Sequence, residues 1–167
     1  KVQFANNDGK SFHDYCTNTL GIPLKNIKYI EDATFNQIRY SINWISNIVK
    51  VQEKQPNIIF YYSGHGVPDE TSRNAFLLPS DGLANDSQSG YSLDLLYKHT
   101  NKTIVFLDAC FSGTTREGKM ISMDSKGVSI KSRPVQPKGN MVVLSAAQGD
   151  ETAYPYKKMK HGMFTYF

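Results

Sequence analysis

The sequence predicts an α/β fold with a mostly parallel central sheet and helices on both faces. Three observations carry that reading. Residues 58–63, 104–109 and 141–146 are short apolar runs, each closed by small or turn-forming residues, which is the pattern of buried strands. Segments of helical period alternate with them, and such alternation favours parallel pairing. A chain of 167 residues with 40% hydrophobic and 20% charged residues suits one globular domain with a real core.

Taken in order, residues 1–5 are too few to assign. Asn6, Asn7 and Asp8 offer an N-cap to a helix whose apolar face is marked by Phe12, Tyr15, Cys16, Thr19 and Leu20. Gly21 stands at its C′ position, and Pro23 blocks continuation. The alternation of residues 26–30, NIKYI, reads as a short strand. Thr34 with Gln37 three positions later is a capping-box pattern. It opens a long helix with Phe35, Ile38, Ile42, Ile45 and Val49 on one face, ending before Pro56. After the strand at 58–63, residues 67–90 are rich in Gly, Pro, Asp, Ser and Asn. They read mostly as loop, interrupted by an apolar stretch at 75–78. Residues 92–99 form a helix with Leu93, Leu96 and Tyr97 on one side. Beyond the strand at 104–109, residues 114–140 lack an apolar period and carry Gly118, Gly127, Pro134, Pro137 and Gly139, which marks a long surface loop. The third strand is followed by loop at 149–156 and by an apolar start at 162–167.

The totals exclude several classes. The net charge of +4 is spread out, densest between Arg116 and Lys138, and reads as a solvated basic loop more than a nucleic-acid surface. The two cysteines, Cys16 and Cys110, fall in no CxxC or CxxH spacing, so neither a structural zinc site nor a disulfide framework is expected. No run approaches the roughly 18 apolar residues of a membrane span, and no signal peptide is visible, so a soluble protein is expected. The chain opens at Lys1 and not at Met, consistent with a preceding segment removed or omitted.

Chemistry gathers at two strand ends. The stretch 57–66, NIIFYYSGHG, ends in Ser63, Gly64, His65 and Gly66; the stretch 103–113, TIVFLDACFSG, ends in Asp108, Ala109 and Cys110. In parallel sheets, ligands bind beyond the carboxyl ends of strands. A thiol near its free pKa of about 8.5 is mostly protonated at neutral pH, and an adjacent imidazole generates the thiolate. Cys110 is therefore the expected nucleophile and His65 the expected base, then acid. Gly66 leaves room for a substrate to approach, and its N–H with that of Cys110 forms an expected oxyanion hole, where a donor is worth about 3–4 kcal/mol. Alone, each residue has a plainer reading: Cys110 as a small buried hydrophobe, His65 as a structural histidine. Their matching placement favours chemistry.

YYSGHG at 61–66 followed by LDACFSG at 107–113 resembles the caspase-like cysteine peptidases of clan CD, and among them the metacaspase and paracaspase branch. His65 precedes Cys110 by 45 residues, close to the caspase spacing of roughly 50. The resemblance extends to FANNDGKSF at 4–12, AFLLPSDG at 75–82, VVLSAAQGDETAY at 142–154 and HGMFTYF at 161–167. It implies a caspase–haemoglobinase fold, hydrolysis of peptide bonds through an acyl-enzyme, and cleavage after a basic residue held by carboxylates. Asp108, Asp8 and either Asp150 or Glu151 match the family's acidic positions, with Ser63 beside them. A guanidinium suits such a pocket because it donates paired bonds to a carboxylate. The plainer readings are an N-cap for Asp8 and a solvated loop for Asp150 and Glu151. The family's first strand, and its last helix and strand, have no counterpart in the given residues, so 1–167 is expected to be a caspase-like peptidase domain lacking those pieces, either cleaved from them or given as a segment of a longer chain. Arg116, Lys119, Lys126, Lys131 and Arg133 in loop 114–140 are candidate self-cleavage positions; an unprocessed flexible loop is the plainer alternative.

Other readings fare worse. Residues 113–119 fit GxxxxGK, but Met120 replaces the Ser or Thr that holds magnesium, and no helical period follows. His13, His99 and His161 show no zinc-ligand spacing and read as surface residues; His161-Gly162 follows Lys157–Lys160 and no apolar strand, so it is not the expected catalytic histidine. The competing functions are a silent caspase-like scaffold or binding module, and a peptidase of the same fold with another preference at P1, the substrate residue whose carbonyl is cleaved. The resemblance implies no cofactor; some metacaspases respond to calcium, yet no concentrated acidic ion site stands out. The expected partner is a peptide or protein substrate with a basic P1, besides the protein's own cleaved fragment, and neither nucleic acid nor membrane.

Overall fold

The computed structural model describes residues 2–52, 56–69, 71–99, 102–111, 140–147 and 151–167. In chain order they form α1 (Ala5–Asn18), a 3₁₀ turn (Leu24–Asn26), α2 (Phe35–Val51), β1 (Ile58–Ser63), β2 (Gly66–Pro68), β3 (Ala75–Leu77) and a second 3₁₀ turn (Ser87–Ser89). There follow β4 (Tyr91–Ser92), α3 (Leu93–His99), β5 (Thr103–Asp108), β6 (Val142–Ser145), β7 (Pro155–Tyr156), β8 (His161–Gly162) and α4 (Met163–Tyr166).

The three apolar runs become a parallel sheet in the order β1-β5-β6, with Ile58 opposite Thr103, Ser63 opposite Asp108 and Ile104 opposite Val142. Alternation along a strand separates its side chains onto two faces. Phe60, Tyr62, Val105, Leu107 and Val143 point to the main core, where they meet Ile38 and Ile42 of α2 and Leu96 and Tyr97 of α3. Ile42, Leu96 and Val105 are completely buried, each burial worth about 1.5–3 kcal/mol. The opposite face carries Tyr61, Phe106, Ser63 and Asp108. There, Phe12 of α1 stacks on Tyr61 with ring centroids 4.2 Å apart, and α4 reaches Tyr61 through Thr165. The α/β architecture with helices on both faces of a parallel sheet is therefore observed.

Several local expectations change. Among the described residues, 27–30 pair with no strand; their alternation reflects packing, with Tyr29 against His13 and the Lys28 ammonium over the rings of Tyr40 and Trp44. Residues 67–90 are more than loop. β2, β3 and β4 form a small antiparallel sheet, too short for its alternation to show. β7 and β8 likewise make a two-stranded ribbon where 149–156 reads as loop. Asp8 is not the N-cap of α1: Phe4 holds that position, at φ 68° and with no side-chain bond, and Asp8 lies one turn inside with its N–H on Phe4 O at 3.0 Å. Gly21, at φ 65°, falls two residues beyond the helix's cap, Thr19. The capping box at Thr34 and Gln37 forms as its spacing predicts. Loop 114–140 lies outside the described residues except for Asn140.

Candidate active site

Because Ser63 and Asp108 are register partners, two further residues on each strand bring the chain to His65 and to Cys110 at one sheet edge. The pairing persists past the strands: Gly64 N–H donates to Asp108 O at 3.3 Å and Gly66 N–H to Cys110 O at 3.1 Å. The backbone around His65 is further fixed through its carbonyl, which accepts from Leu78 N–H at 2.9 Å and from the Tyr62 hydroxyl at 2.8 Å. The side chain of His65 is half-buried. Burial pushes the Tyr62 phenol up, against the bond to Leu78 O, so it remains a donor.

Gly66 takes a different part from the one expected. Its N–H is engaged by Cys110 O, and a Cβ at this position would run into the Phe111 ring and the Cys110 carbonyl. The room that glycine leaves is filled by protein, and the expected oxyanion donor is committed to the backbone. The Cys110 thiol is 4% exposed. Its sulfur accepts the N–H of Ala153 at 2.8 Å and lies 3.7 Å from Ala153 O, in a small apolar cluster with Ala146 and Ala147. The segment carrying Ala153 thus covers the thiol.

Beside this edge sit two carboxylates with no exposure at all, Asp8 and Asp108. Asp8 and Phe12, one helical turn apart, share a face of α1, so the packing of Phe12 on Tyr61 carries Asp8 to the end of β1. Asp8 Oδ2 accepts from the Ser63 hydroxyl at 3.1 Å; its Oδ1 accepts from Gly162 N–H at 2.9 Å and lies 3.0 Å from His161 Nδ1. Asp108 Oδ2 accepts from Thr165 twice, from the hydroxyl at 2.6 Å and from the N–H at 3.2 Å. The Tyr61 hydroxyl is 2.7 Å from Thr165 Oγ1. Burial raises the Tyr61 phenol well above its ordinary range; the bond to Thr165 opposes this and the charges of Asp8 and Asp108 add to it. Gly162 must be glycine here, because a Cβ would enter the Asp108 carboxylate.

Of the sequence-predicted pocket residues, Asp8, Ser63 and Asp108 are therefore gathered in one place. Glu151 is exposed, while Asp150 and the basic candidates Arg116, Lys119, Lys126, Lys131 and Arg133 lie outside the described residues. The sequence reading missed His161, Gly162, Thr165 and Tyr61. His161 is no plain surface residue: its side chain is 21% exposed and paired with Asp8. The available signal was the resemblance carried by HGMFTYF at 161–167. Among the described residues no group of three His, Cys, Asp or Glu side chains is arranged to hold a metal ion, and no helix is long and apolar enough to cross a membrane.

The parallel sheet thus carries Cys110 and His65 just beyond the ends of two neighbouring strands. The family model for the caspase domain of peptidase family C14 matches residues 3–167, and the chain belongs to that family. No curated protein matches it in sequence. Among solved structures, the crystal structure of protein GSU0716 from Geobacter sulfurreducens is similar, with a TM-score of 0.62 at 19% identity over 99% of this chain and 70% of that one. That likeness concerns the fold.

Proposed function

We propose that the protein is a cysteine endopeptidase of the metacaspase and paracaspase kind, cleaving after Arg or Lys. The observation that carries this reading is the pair of fully buried carboxylates, Asp8 and Asp108, at the sheet edge that also bears Cys110. Buried charges are retained where they are paired or used, since leaving one uncompensated is costly. In this reading a guanidinium or ammonium from substrate joins the Ser63, His161, Gly162 and Thr165 donors already at the two acids.

In this reading His65 takes the Cys110 proton, and the thiolate attacks the scissile carbonyl carbon. The tetrahedral oxyanion is met by Cys110 N–H. Collapse breaks the C–N bond, and His65 protonates the departing amine. Water, deprotonated by His65, then releases the acid from the thioester. The described state is closed, since Cys110 and both carboxylates are shielded; substrate entry requires the segment at Ala153 to move off the thiol. Arg116, Lys119, Lys126, Lys131 and Arg133 suit a basic P1 preference and are candidate self-processing positions in the same reading, the resulting fragments being partners of one another.

The covered thiol also suits a caspase-like scaffold that never assembles its site. Hydrolysis of fluorogenic peptides with Arg or Asp at P1, by wild type and Cys110→Ala, separates the two. Arg cleavage that disappears in the variant is expected. Asp cleavage would keep the thiol chemistry and overturn the acidic pocket; absence of cleavage and of Cys110 labelling by a peptidyl electrophile would favour the scaffold.

A further inference from the structure

Thr165 lies 57 residues from Asp108 in sequence, yet it supplies both a hydroxyl and an N–H to one oxygen of that carboxylate. A threonine hydroxyl has one proton. That proton goes to Asp108 Oδ2, so the contact with Tyr61 is a bond donated by the phenol to Thr165 Oγ1. The burial-raised phenol keeps its proton for this purpose. The result is a directed chain, Tyr61 to Thr165 to Asp108, with every donor aimed at the carboxylate. Two bonds from one residue to one oxygen fix the plane of the carboxylate, not only its position. The same short segment serves Asp8 through Gly162 N–H and His161, so residues 161–165 bracket both acids.

We infer that Thr165 is a specificity-determining positioning residue, which holds the Asp108 carboxylate in the orientation that selects a guanidinium over an ammonium at P1. This rests on the proposed reading of Asp8 and Asp108 as the cation-binding pair. Arginine presents a planar fork whose paired bonds need a correctly oriented carboxylate; lysine presents a compact charge that tolerates rotation. Loss of the Thr165 hydroxyl therefore penalises Arg substrates more than Lys substrates. Tyr61 strengthens the effect from behind, with its ring held independently by Phe12.

The test measures kcat and KM for two peptides differing only in Arg or Lys at P1, with wild type, Thr165→Val, Thr165→Ser and Tyr61→Phe, alongside melting temperatures. In Thr165→Val, KM for the Arg peptide is expected to rise about tenfold with kcat within about twofold, and the Arg-to-Lys preference to collapse. Thr165→Ser restores both, because it keeps the hydroxyl. Tyr61→Phe shifts the preference in the same direction by a smaller factor, and it carries the test should Thr165→Val fail to fold. A Thr165→Val or Tyr61→Phe variant with unchanged KM and unchanged Arg-to-Lys preference overturns the inference. Wild type that cleaves neither peptide instead overturns the cation-binding reading on which it stands.

Discussion

Asp69, four residues past His65, shows how one side chain holds the loop after β2. Its Oδ1 accepts from Thr71 N–H at 3.2 Å and from the Ser72 N–H and hydroxyl, both at 2.7 Å, and its Oδ2 accepts from the Ser87 hydroxyl at 2.6 Å. These bonds, that from Ser87 first, hold its carboxyl down to about 2, against a small opposing effect of burial. A depressed folded-state value means the stabilisation is present above the unfolded value of about 3.9 and is lost as pH falls toward 2. Asp69→Asn is expected to melt below wild type at neutral pH, with the gap closing between pH of about 4 and about 2; melting curves across that range check it, and a pH-independent gap would assign the stabilisation elsewhere. Residues near the site differ in how plainly the sequence announces them. Cys110 and His65 stand at the ends of apolar runs, where strand periodicity marks them. Asp8 sits among Asn6 and Asn7 and looks like a cap, and His161 follows four residues that include three lysines and looks solvated. Their pairing joins positions 153 residues apart, which no local pattern encodes.

At the scale of elements, the start of α2 is fastened both locally and from a distance. Thr34 Oγ1 accepts from Gln37 N–H at 3.3 Å, Thr34 N–H donates to Gln37 Oε1 at 2.9 Å, and Phe35 N–H donates to Asp81 Oδ1 at 2.8 Å. The first two bonds are legible from a four-residue pattern. The third comes from the loop after β3, tied in place by the Ser80 hydroxyl on Asp32 O at 2.6 Å and by Ser80 N–H on Ala33 O at 2.9 Å. Thr34→Ala is expected to cost about 1 kcal/mol in urea unfolding. Asp81→Asn, which removes a negative charge from a helix N-terminus, costs roughly 0.3–1 kcal/mol. Because both act on one terminus, their double variant is expected to depart from the sum. The longer elements α2, β1 and β5 are readable because each turns apolar residues toward the core, on one face of the helix and in continuous apolar runs in the strands. β2, β3 and β4 have three, three and two residues, and strands that short exist through their partners and leave no periodic trace.

In the whole molecule the central sheet divides its labour by face, and adjacent residues of β5 fall on opposite sides of that division. Leu107, 2% exposed, points to the core under α2 and α3, while Asp108 points to the face covered by α1 and α4. Large-to-small changes in a packed core cost about 2–5 kcal/mol. Leu107→Ala is therefore expected to lose that stability in urea unfolding, while the folded fraction keeps its kcat/KM and its preference at P1. Asp108→Asn should behave in the opposite way. The amide carbonyl still accepts from Thr165, so the fold persists with a melting temperature near that of wild type, but the proposed cation-binding pair loses one of its two carboxylates. In the proposed reading, cleavage after Arg and Lys is expected to fall by at least about 10²-fold, mostly in KM, as a buried charge-assisted contact is removed. Kinetics normalised to folded protein, read beside the unfolding curves, separate the two roles. If Asp108→Asn unfolds the protein as readily as Leu107→Ala, the acidic pair is part of the scaffold. If activity falls while the fold stands, the face under α1 and α4 is where the peptide-binding chemistry resides.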